Sequence, residues 1–290
     1  MTPLETFSDA ISDIVEHAAP ALASISGRHR PTASAFHWRD GLFIAADEAI
    51  SGDEDVTLTF ADGAQSAAEI VGRDASTGIA LLKPATPPSA MPSLPAARNS
   101  VRAGALAIAV GRGDASVLAA FGAVSLAGPA WRSMRGGAID RRLELSLSVG
   151  LRFEGAAVLD ASGGLIGMLL FGPRRKVLVI PAETIARVAE TLADKGYVPR
   201  GYLGAGLHPL RHAGGKGAIV LSVEENGPAH RAGLLTGDVI TTWEGDEVSG
   251  VRDLLRRLGP DSVGATVTLG IVRAGAARDV SLTVGARPHG

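Results

Sequence analysis

The sequence contains no cysteine. That excludes disulfides, thiolate nucleophiles and Cys-ligated zinc, but it does not settle a compartment, since a secreted chain can also lack disulfides. Aromatic residues make up only 4% of the 290 residues. Neither charge sign dominates: the formal net charge is −2 and charged residues are 20%. No strong field therefore draws the chain to nucleic acid or to an anionic membrane. No apolar run approaches the length that crosses a bilayer. No Lys or Arg precedes Arg28, so the basic n-region of a signal peptide is missing, as is the character of an Arg-rich transit peptide. The expectation is a cytoplasmic protein, or a periplasmic one if the sequence is trimmed. Lysine is confined to Lys83, Lys176, Lys195 and Lys216; with abundant Ala and Gly, this composition points to a GC-rich bacterial genome.

What is present suits two domains. Hydrophobic residues are 46%, enough for packed cores. Leu4, Phe7, Ile11, Ile14, Val15 and Ala18 recur at helical spacing between Glu5, Asp9, Asp13 and Glu16. This predicts an amphipathic helix within residues 1–24 that docks on the body. Short strands follow. In DVTLTFADG, Val56, Leu58 and Phe60 share one face, Thr57 and Thr59 the other, and Asp62-Gly63 supplies a hairpin turn. EIVGRDASTGIALLKPA reads as two strands around a polar loop, and Pro84 to Pro95 as a connection between two halves. Leu143, Leu145, Leu147 and Val149 alternate with polar residues in a later strand. The period then changes: Ile185, Val188, Ala189 and Leu192 predict a helix that Pro181 precedes and Gly196 caps. GYVPRG leads into a second module of strands (GAIVLSVEE, DVITTWEG, ATVTLGIVR, DVSLTV) and two helical pieces (PAHRAG, VRDLLRRLG). The division is thus 1–24 for the helix, 25–196 for a β-barrel domain and 197–290 for a small mixed domain.

DEDVTLTFADG, VGRDASTGIALLK and VLDASGGLIGM stand in the order and spacing seen in the HtrA (Deg) family of trypsin-like serine proteases, which the sequence resembles. GYLGAG, VLSVEENGPAHRAGLLTGDVITTWEGDEV and VRDLLRRL resemble that family's PDZ domain. The resemblance covers nearly everything from about residue 25. It implies a mainly β protein: a double six-stranded Greek-key β-barrel followed by an α+β PDZ domain.

The family's catalytic residues do not carry over. Its histidine lies in a segment like T-A-H-H-V-V; the segment here is Ala45-Ala46-Asp47-Glu48-Ala49-Ile50, and the position holds Glu48. Its aspartate lies in D-x-x-T-D-L-A-L-L, where this chain has Gly78. Its serine lies in G-x-S-G-G-P-L, where this chain has Arg152-Phe153-Glu154-Gly155. The nucleophile position becomes Glu154 and the oxyanion-loop glycine becomes Arg152. Triad chemistry needs a hydroxyl whose proton passes to an imidazole held by a carboxylate. A carboxylate attacking a peptide carbonyl is expelled more readily than the amine. The expectation is a pseudoprotease. Among the histidines (His17, His29, His37, His208, His212, His230, His289) His37 lies nearest the cleft segment. A strand histidine is ordinarily structural, so no replacement dyad is expected, and Ser146 and Ser148 read as ordinary strand residues.

Two alternatives stay open: an active serine-type endopeptidase with a non-standard site, and a carboxylate or metal site at Glu48 and Glu154, with Asp47 as a further candidate ligand. A drifted, solvated acid pair is favoured over the second, and neither a cofactor nor a metal is expected. The PDZ-like module retains its equipment. By resemblance, Tyr202-Leu203-Gly204-Ala205 forms the loop that holds a terminal carboxylate, and the docking edge begins at Gly206-Leu207. Val251, Leu254, Leu255 and Leu258 line the opposing helix, as groove or as core. The partners this implies are polypeptide C-termini or a protein partner, such as an active protease paralogue, with no nucleic acid and no membrane span. A homotrimer is also implied, although Phe7 is the sole aromatic before Phe36. GYLGAG lacks the P-loop lysine and the Rossmann context. Arg112-Gly113-Asp114 reads as a hairpin, and Arg174-Arg175-Lys176 as a solvated turn.

Overall fold

A computed structural model describes residues 2–27, 30–50, 56–88, 91–98, 100–114, 116–212 and 215–287. Residues 53–55 of the DEDVTLTFADG motif, His29 and His289 lie outside this set. Two compact units result: Met1–Trp131 with Ile139–Val198, and Pro199–Gly290 with Arg132–Ala138.

The first unit opens with α1 (Pro3–Ala18). Thr2 and Glu5 form a reciprocal capping box: the Glu5 N–H donates to Thr2 Oγ1 at 3.3 Å and the Thr2 N–H to Glu5 Oε2 at 2.6 Å. The docking expectation holds for only part of the helix. Ile11, Ile14, Val15 and Ala18 pack on the body, but Leu4 is 76% exposed and Phe7 43%. The first two turns are the less buried part of the helix, and Phe7 packs edge-on with the exposed ring of Phe121, centroids 6.0 Å apart.

Strands β1 (Leu22–Gly27), β2 (Arg30–His37), β3 (Phe43–Ala46), β4 (Val56–Thr59), β5 (Gln65–Asp74) and β6 (Ile79–Pro84) close an antiparallel barrel in the order β1-β2-β3-β6-β5-β4. Next come β7 (Leu106–Gly113), β8 (Ser116–Gly128) and a short ladder of β9 (Trp131–Arg132) with β10 (Ala138–Ile139). With β11 (Arg142–Ser146), β12 (Ala157–Leu159), β13 (Leu165–Phe171) and β14 (Val177–Pro181), strands β7 and β8 close a second barrel, ordered β11-β14-β13-β12-β7-β8.

Several strands are apolar on both faces because both faces are buried. Phe43 and Leu82 fill the first barrel, while their neighbours Ile44 and Leu81 face the seam between barrels. Val158 likewise fills the second barrel and Leu159 the seam. α2 (Ala182–Lys195) lays Ile185, Val188, Ala189 and Leu192 on that same seam core and ends on Gly196 at φ +75°.

The second unit contains β15 (Gly201–Tyr202), β16 (Ala205–His212), β17 (Gly215–Val223), α3 (Pro228–Arg231), β18 (Val239–Trp243), β19 (Asp246–Glu247), α4 (Val251–Arg257), β20 (Thr266–Arg273), β21 (Ala276–Thr283) and β22 (Gly285–Ala286). Its main sheet runs β16-β17-β18-β20-β21, with β19 on β18 and β15 paired to β22. Leu203, Ala218, Ile240, Leu254, Leu269 and Leu282 form its core.

Candidate functional site

The three chain segments singled out by the resemblance, around Glu48, Gly78 and Glu154, meet in the first unit. Asp47-Glu48-Ala49 makes one 3₁₀ turn after β3. Asp47 is buried, and Arg73 clamps it through Nε to Oδ1 at 2.5 Å. The Arg73 Nη2 donates to the carbonyls of Asp47 and Ile50, each at 3.0 Å. Glu48, next along, is exposed.

The Asp47 N–H donates to the Gly78 carbonyl at 2.9 Å, which joins the first segment to the second. Asp74 anchors that second segment. The residue is 4% exposed; its carboxylate accepts from the Ser76 N–H (3.0 Å), Ser76 Oγ (2.5 Å) and Thr77 Oγ1 (2.7 Å), while its carbonyl accepts from the Gly78 N–H (2.9 Å). Gly78 therefore sits at φ +74°, and a Cβ there would come within 2.7 Å of Leu170 Cδ1. The position is shaped for a residue without a side chain.

The third segment is the Leu151–Phe153 3₁₀ turn and the corner after it. The Phe153 N–H donates to the Gly150 carbonyl at 3.1 Å and the Glu154 N–H to the Leu151 carbonyl at 3.0 Å. An oxyanion hole needs free N–H groups aimed at a common point; at 154 that group is already engaged. Ser34, fully buried on β2, pins the loop from the other side. Its N–H donates to the Glu154 carbonyl (2.8 Å), and its Oγ donates to the Arg152 carbonyl (2.9 Å) while accepting from the Arg112 N–H (3.0 Å). Arg152 is exposed, and Glu154 is half-buried with its Oε1 shielded from solvent.

Gly155 has φ +79°, and an added Cβ would lie 2.2 Å from the Ser34 carbonyl oxygen and 3.1 Å from the Ala46 nitrogen. The Glu154 corner is thus pressed onto β2 and β3, beside the segment that carries Glu48. Gly155→Ala is expected to cost about 2–3 kcal/mol, from the left-handed backbone and the overlap together. A thermal melt checks this, and an unchanged midpoint would refute it.

Sequence reasoning missed Ser34. Its one local signal is a small polar residue inside the apolar strand Ala33-Ser34-Ala35-Phe36, and its partners lie 78 and 118 residues away. His37 is structural: it is buried, its Nδ1 lies 3.1 Å from the Pro92 carbonyl oxygen, and its ring packs edge-on to Phe43 at 5.6 Å. Ser146 and Ser148 are exposed. Among the described residues, no group of three His, Asp or Glu is placed to hold a metal ion.

In the second unit, Tyr202-Leu203-Gly204-Ala205 enters the edge strand β16. The Leu203 carbonyl accepts from the Ala229 N–H at 2.7 Å and the Gly204 carbonyl from the Glu224 N–H at 2.9 Å. Both carbonyls point inward. Among the described residues, the N–H groups of Leu203 and Gly204 donate to no backbone carbonyl. Gly204 takes φ +69°. The Tyr202 hydroxyl donates to the Glu224 carboxylate, and this hydrogen bond raises the phenol's pKa. Along α4 and its C-cap Leu258 the four apolar residues divide. Leu254 and Leu258 are core, Val251 is half-buried against that core as are Ala205 and Leu207 on the strand, and Leu255 is 51% exposed. Gly206 is exposed on the strand.

The chain matches two known families: "Trypsin-like peptidase domain" over residues 33–168 and "PDZ domain" over residues 201–284. It is 30% identical over 283 residues to a "Probable periplasmic serine endoprotease DegP-like" of Brucella suis, covering 91% of this chain and 54% of that protein. A protein of the same description from Rhizobium meliloti is 28% identical over 281 residues, with 90% and 55% covered. The chain thus spans about half the length of these relatives. Among solved structures, "HtrA-type protease AlgW with decapeptide" aligns with a TM-score of 0.71 at 23% identity, over 97% of this chain and 99% of that one, a likeness of fold. The relatives' periplasmic descriptions overturn the cytoplasmic expectation. That expectation rested on a missing basic segment, which is a property of a leader and not of the folded domains. A chain without thiols folds alike in either redox setting.

Proposed function

The chain is a homologue of the HtrA/DegP proteases, a trypsin-like peptidase domain joined to a PDZ domain, and from that premise we propose that it binds polypeptide C-termini as a scaffold without hydrolysing them. One observation carries this reading. The corner that would present a nucleophile holds Glu154, whose own N–H is engaged by the Leu151 carbonyl. Neither a hydroxyl nor a ready oxyanion donor is offered there, and the imidazole and aspartate positions hold Glu48 and Gly78. Support for binding comes from the second unit, where the N–H groups of Leu203 and Gly204 stand beside an unpaired strand edge, the arrangement that captures a terminal carboxylate and adds the tail as a strand.

The relatives' description as serine endoproteases favours a second reading, an active endopeptidase. One experiment separates the two. The pure protein is incubated with casein and, separately, with a fluorophosphonate probe. The scaffold reading expects no covalent labelling and turnover lower by about 10⁶-fold than an intact triad delivers. Steady cleavage or a labelled serine would establish the second reading.

The periplasmic setting of the relatives suits a scaffold that meets exposed protein tails. The uncovered apolar face of α1, with Leu4 and Phe7 beside Phe121, supports assembly with further copies, such as the homotrimer the resemblance implies, or with an active paralogue.

A further inference from the structure

We propose that Pro209 limits the PDZ groove to the last few residues of a bound tail, so that this protein selects short exposed C-termini and gains nothing from the chain upstream. The inference rests on the reading of β16 as a peptide-docking edge and adds how much of the ligand that edge can hold.

Hydrogen-bond phase along β16 sets this limit. Among the described residues β16 stands at the end of its sheet, paired on one side only, to β17. Leu207 lies opposite Val220. The Val220 N–H donates to the Asp238 carbonyl at 2.8 Å, and the Val220 carbonyl accepts from the Gly237 N–H at 2.9 Å. Both polar groups of Val220 thus point away from β16. In an antiparallel pair, facing residues alternate between exchanging both hydrogen bonds and exchanging none. Leu207 and Val220 are a pair that exchanges none, so the N–H and carbonyl of Leu207 point to the free edge. The Gly204 carbonyl, by contrast, bonds toward β17 through the Glu224 N–H. Alternation from both ends gives the same result: Ala205, Leu207, Pro209 and Arg211 present their backbone groups to the free edge.

An added antiparallel strand whose carboxylate sits on the Leu203 and Gly204 N–H groups places its last residue beside Ala205. Its third-from-last residue then lies beside Leu207 and its fifth-from-last beside Pro209. Leu207 offers a donor and an acceptor. Pro209 has no N–H, and its ring occupies the space where that donor would stand. The tail's carbonyl at the fifth position meets carbon, and drawing it out of water without a partner opposes the step. Proline is tolerated at such an edge position because it costs the parent sheet nothing, and it also discourages unwanted strand pairing. The result is a groove that reads the carboxylate and about three residues before it.

Two fluorescein-labelled peptide pools test this on the full chain, a tetrapeptide and a decapeptide that share the same randomised apolar last three residues, with amidated pools as controls. For the wild-type protein the two free-acid pools are expected to bind within about twofold of each other, and the amidated pools not at all. In Pro209→Ala the tetrapeptide affinity stays put, which also reports an intact groove, while the decapeptide tightens by about 2- to 10-fold, the net worth of one restored hydrogen bond. A wild-type decapeptide that binds clearly tighter than the tetrapeptide overturns the length limit alone. Equal length dependence in wild type and Pro209→Ala does the same. If neither free-acid pool binds, the docking reading fails, and the length limit falls with it. Should the variant not fold, the wild-type comparison still decides.

Discussion

Asp238→Ala is expected to destabilise the PDZ domain by about 2–3 kcal/mol, the scale of losing charge-assisted hydrogen bonds to a buried carboxylate and leaving a donor without its acceptor. Asp238 is 1% exposed. Its carboxylate accepts from Arg273 Nε and Nη2, each at 2.7 Å, and from the Leu235 N–H at 2.8 Å. Arg273 also holds the Gly233 carbonyl at 2.8 Å, so the pair fastens the turn before β18 to the end of β20. Alanine would leave the Leu235 N–H without its acceptor and the guanidinium without its counter-charge. Denaturant unfolding followed at Trp243, which is 6% exposed in this domain, checks the loss; a change below about 1 kcal/mol, the scale of exposed ion pairs, would sink the argument. A pH dependence goes with it. The hydrogen bonds from Arg273 are the largest influence holding the Asp238 carboxyl below its ordinary range, and they prevail over burial, which acts the other way. A depressed folded-state pKa means that the stabilisation is present in full above the unfolded value of about 3.9 and is lost as pH falls through the lower folded value. The PDZ transition should therefore weaken on acidification below about pH 4, and less steeply in Asp238→Asn, which cannot titrate there.

That pairing was invisible in the sequence, where Asp238 and Arg273 stand 35 residues apart among many like residues. What was legible had a period. The alternation of Val56, Leu58 and Phe60 became a buried face, and Ile185, Val188, Ala189 and Leu192 became the buried stripe of α2. Glycines at special conformations were also legible where a turn demanded them, as at Gly63, Gly196 and Gly204. Helical phase alone could not divide Leu254 and Leu258 from Leu255, because core and groove lie on adjoining faces of one short helix. Nor could it reveal that Leu4 and Phe7 pass beyond the surface on which Ile11 and Ile14 rest. Positions 48, 78 and 154 were picked out by the motifs that flank them. The state of the loop around them was not, since it depends on Ser34, a residue on a distant strand with no local mark of its role.

That loop leads to the other large expected effect, which is a failure to recover. Restoring the family's residues together, as Glu48→His, Gly78→Asp and Glu154→Ser, should raise casein hydrolysis by less than about tenfold, although an intact triad is worth about 10⁶-fold. The side chains alone do not make the site. Aspartate at 78 must hold a Cβ on a backbone at φ +74° and push aside Leu170 Cδ1, which lies 2.7 Å from that Cβ, so the carboxylate would stand on a strained turn. The N–H at 154 remains bonded to the Leu151 carbonyl, and the carbonyl of 152 remains pinned by Ser34 Oγ. A serine attacking a carbonyl there would build negative charge without the N–H of residue 154 to receive it, a deficit of about 10²–10³ for that missing donor. Adding Arg152→Gly to the triple variant should raise the rate further, because glycine frees the backbone to turn its N–H groups outward. Steady-state hydrolysis of a fluorogenic peptide, with labelling by a fluorophosphonate probe as the second readout, separates the outcomes. A triple variant that hydrolyses peptide at the rate of an intact protease would mean that the loop is no obstacle and that the residues at 48, 78 and 154 alone keep the site silent. A triple variant that is inert until position 152 is also changed would place the block in the backbone, with the engaged N–H of residue 154 and the pinned carbonyl of Arg152.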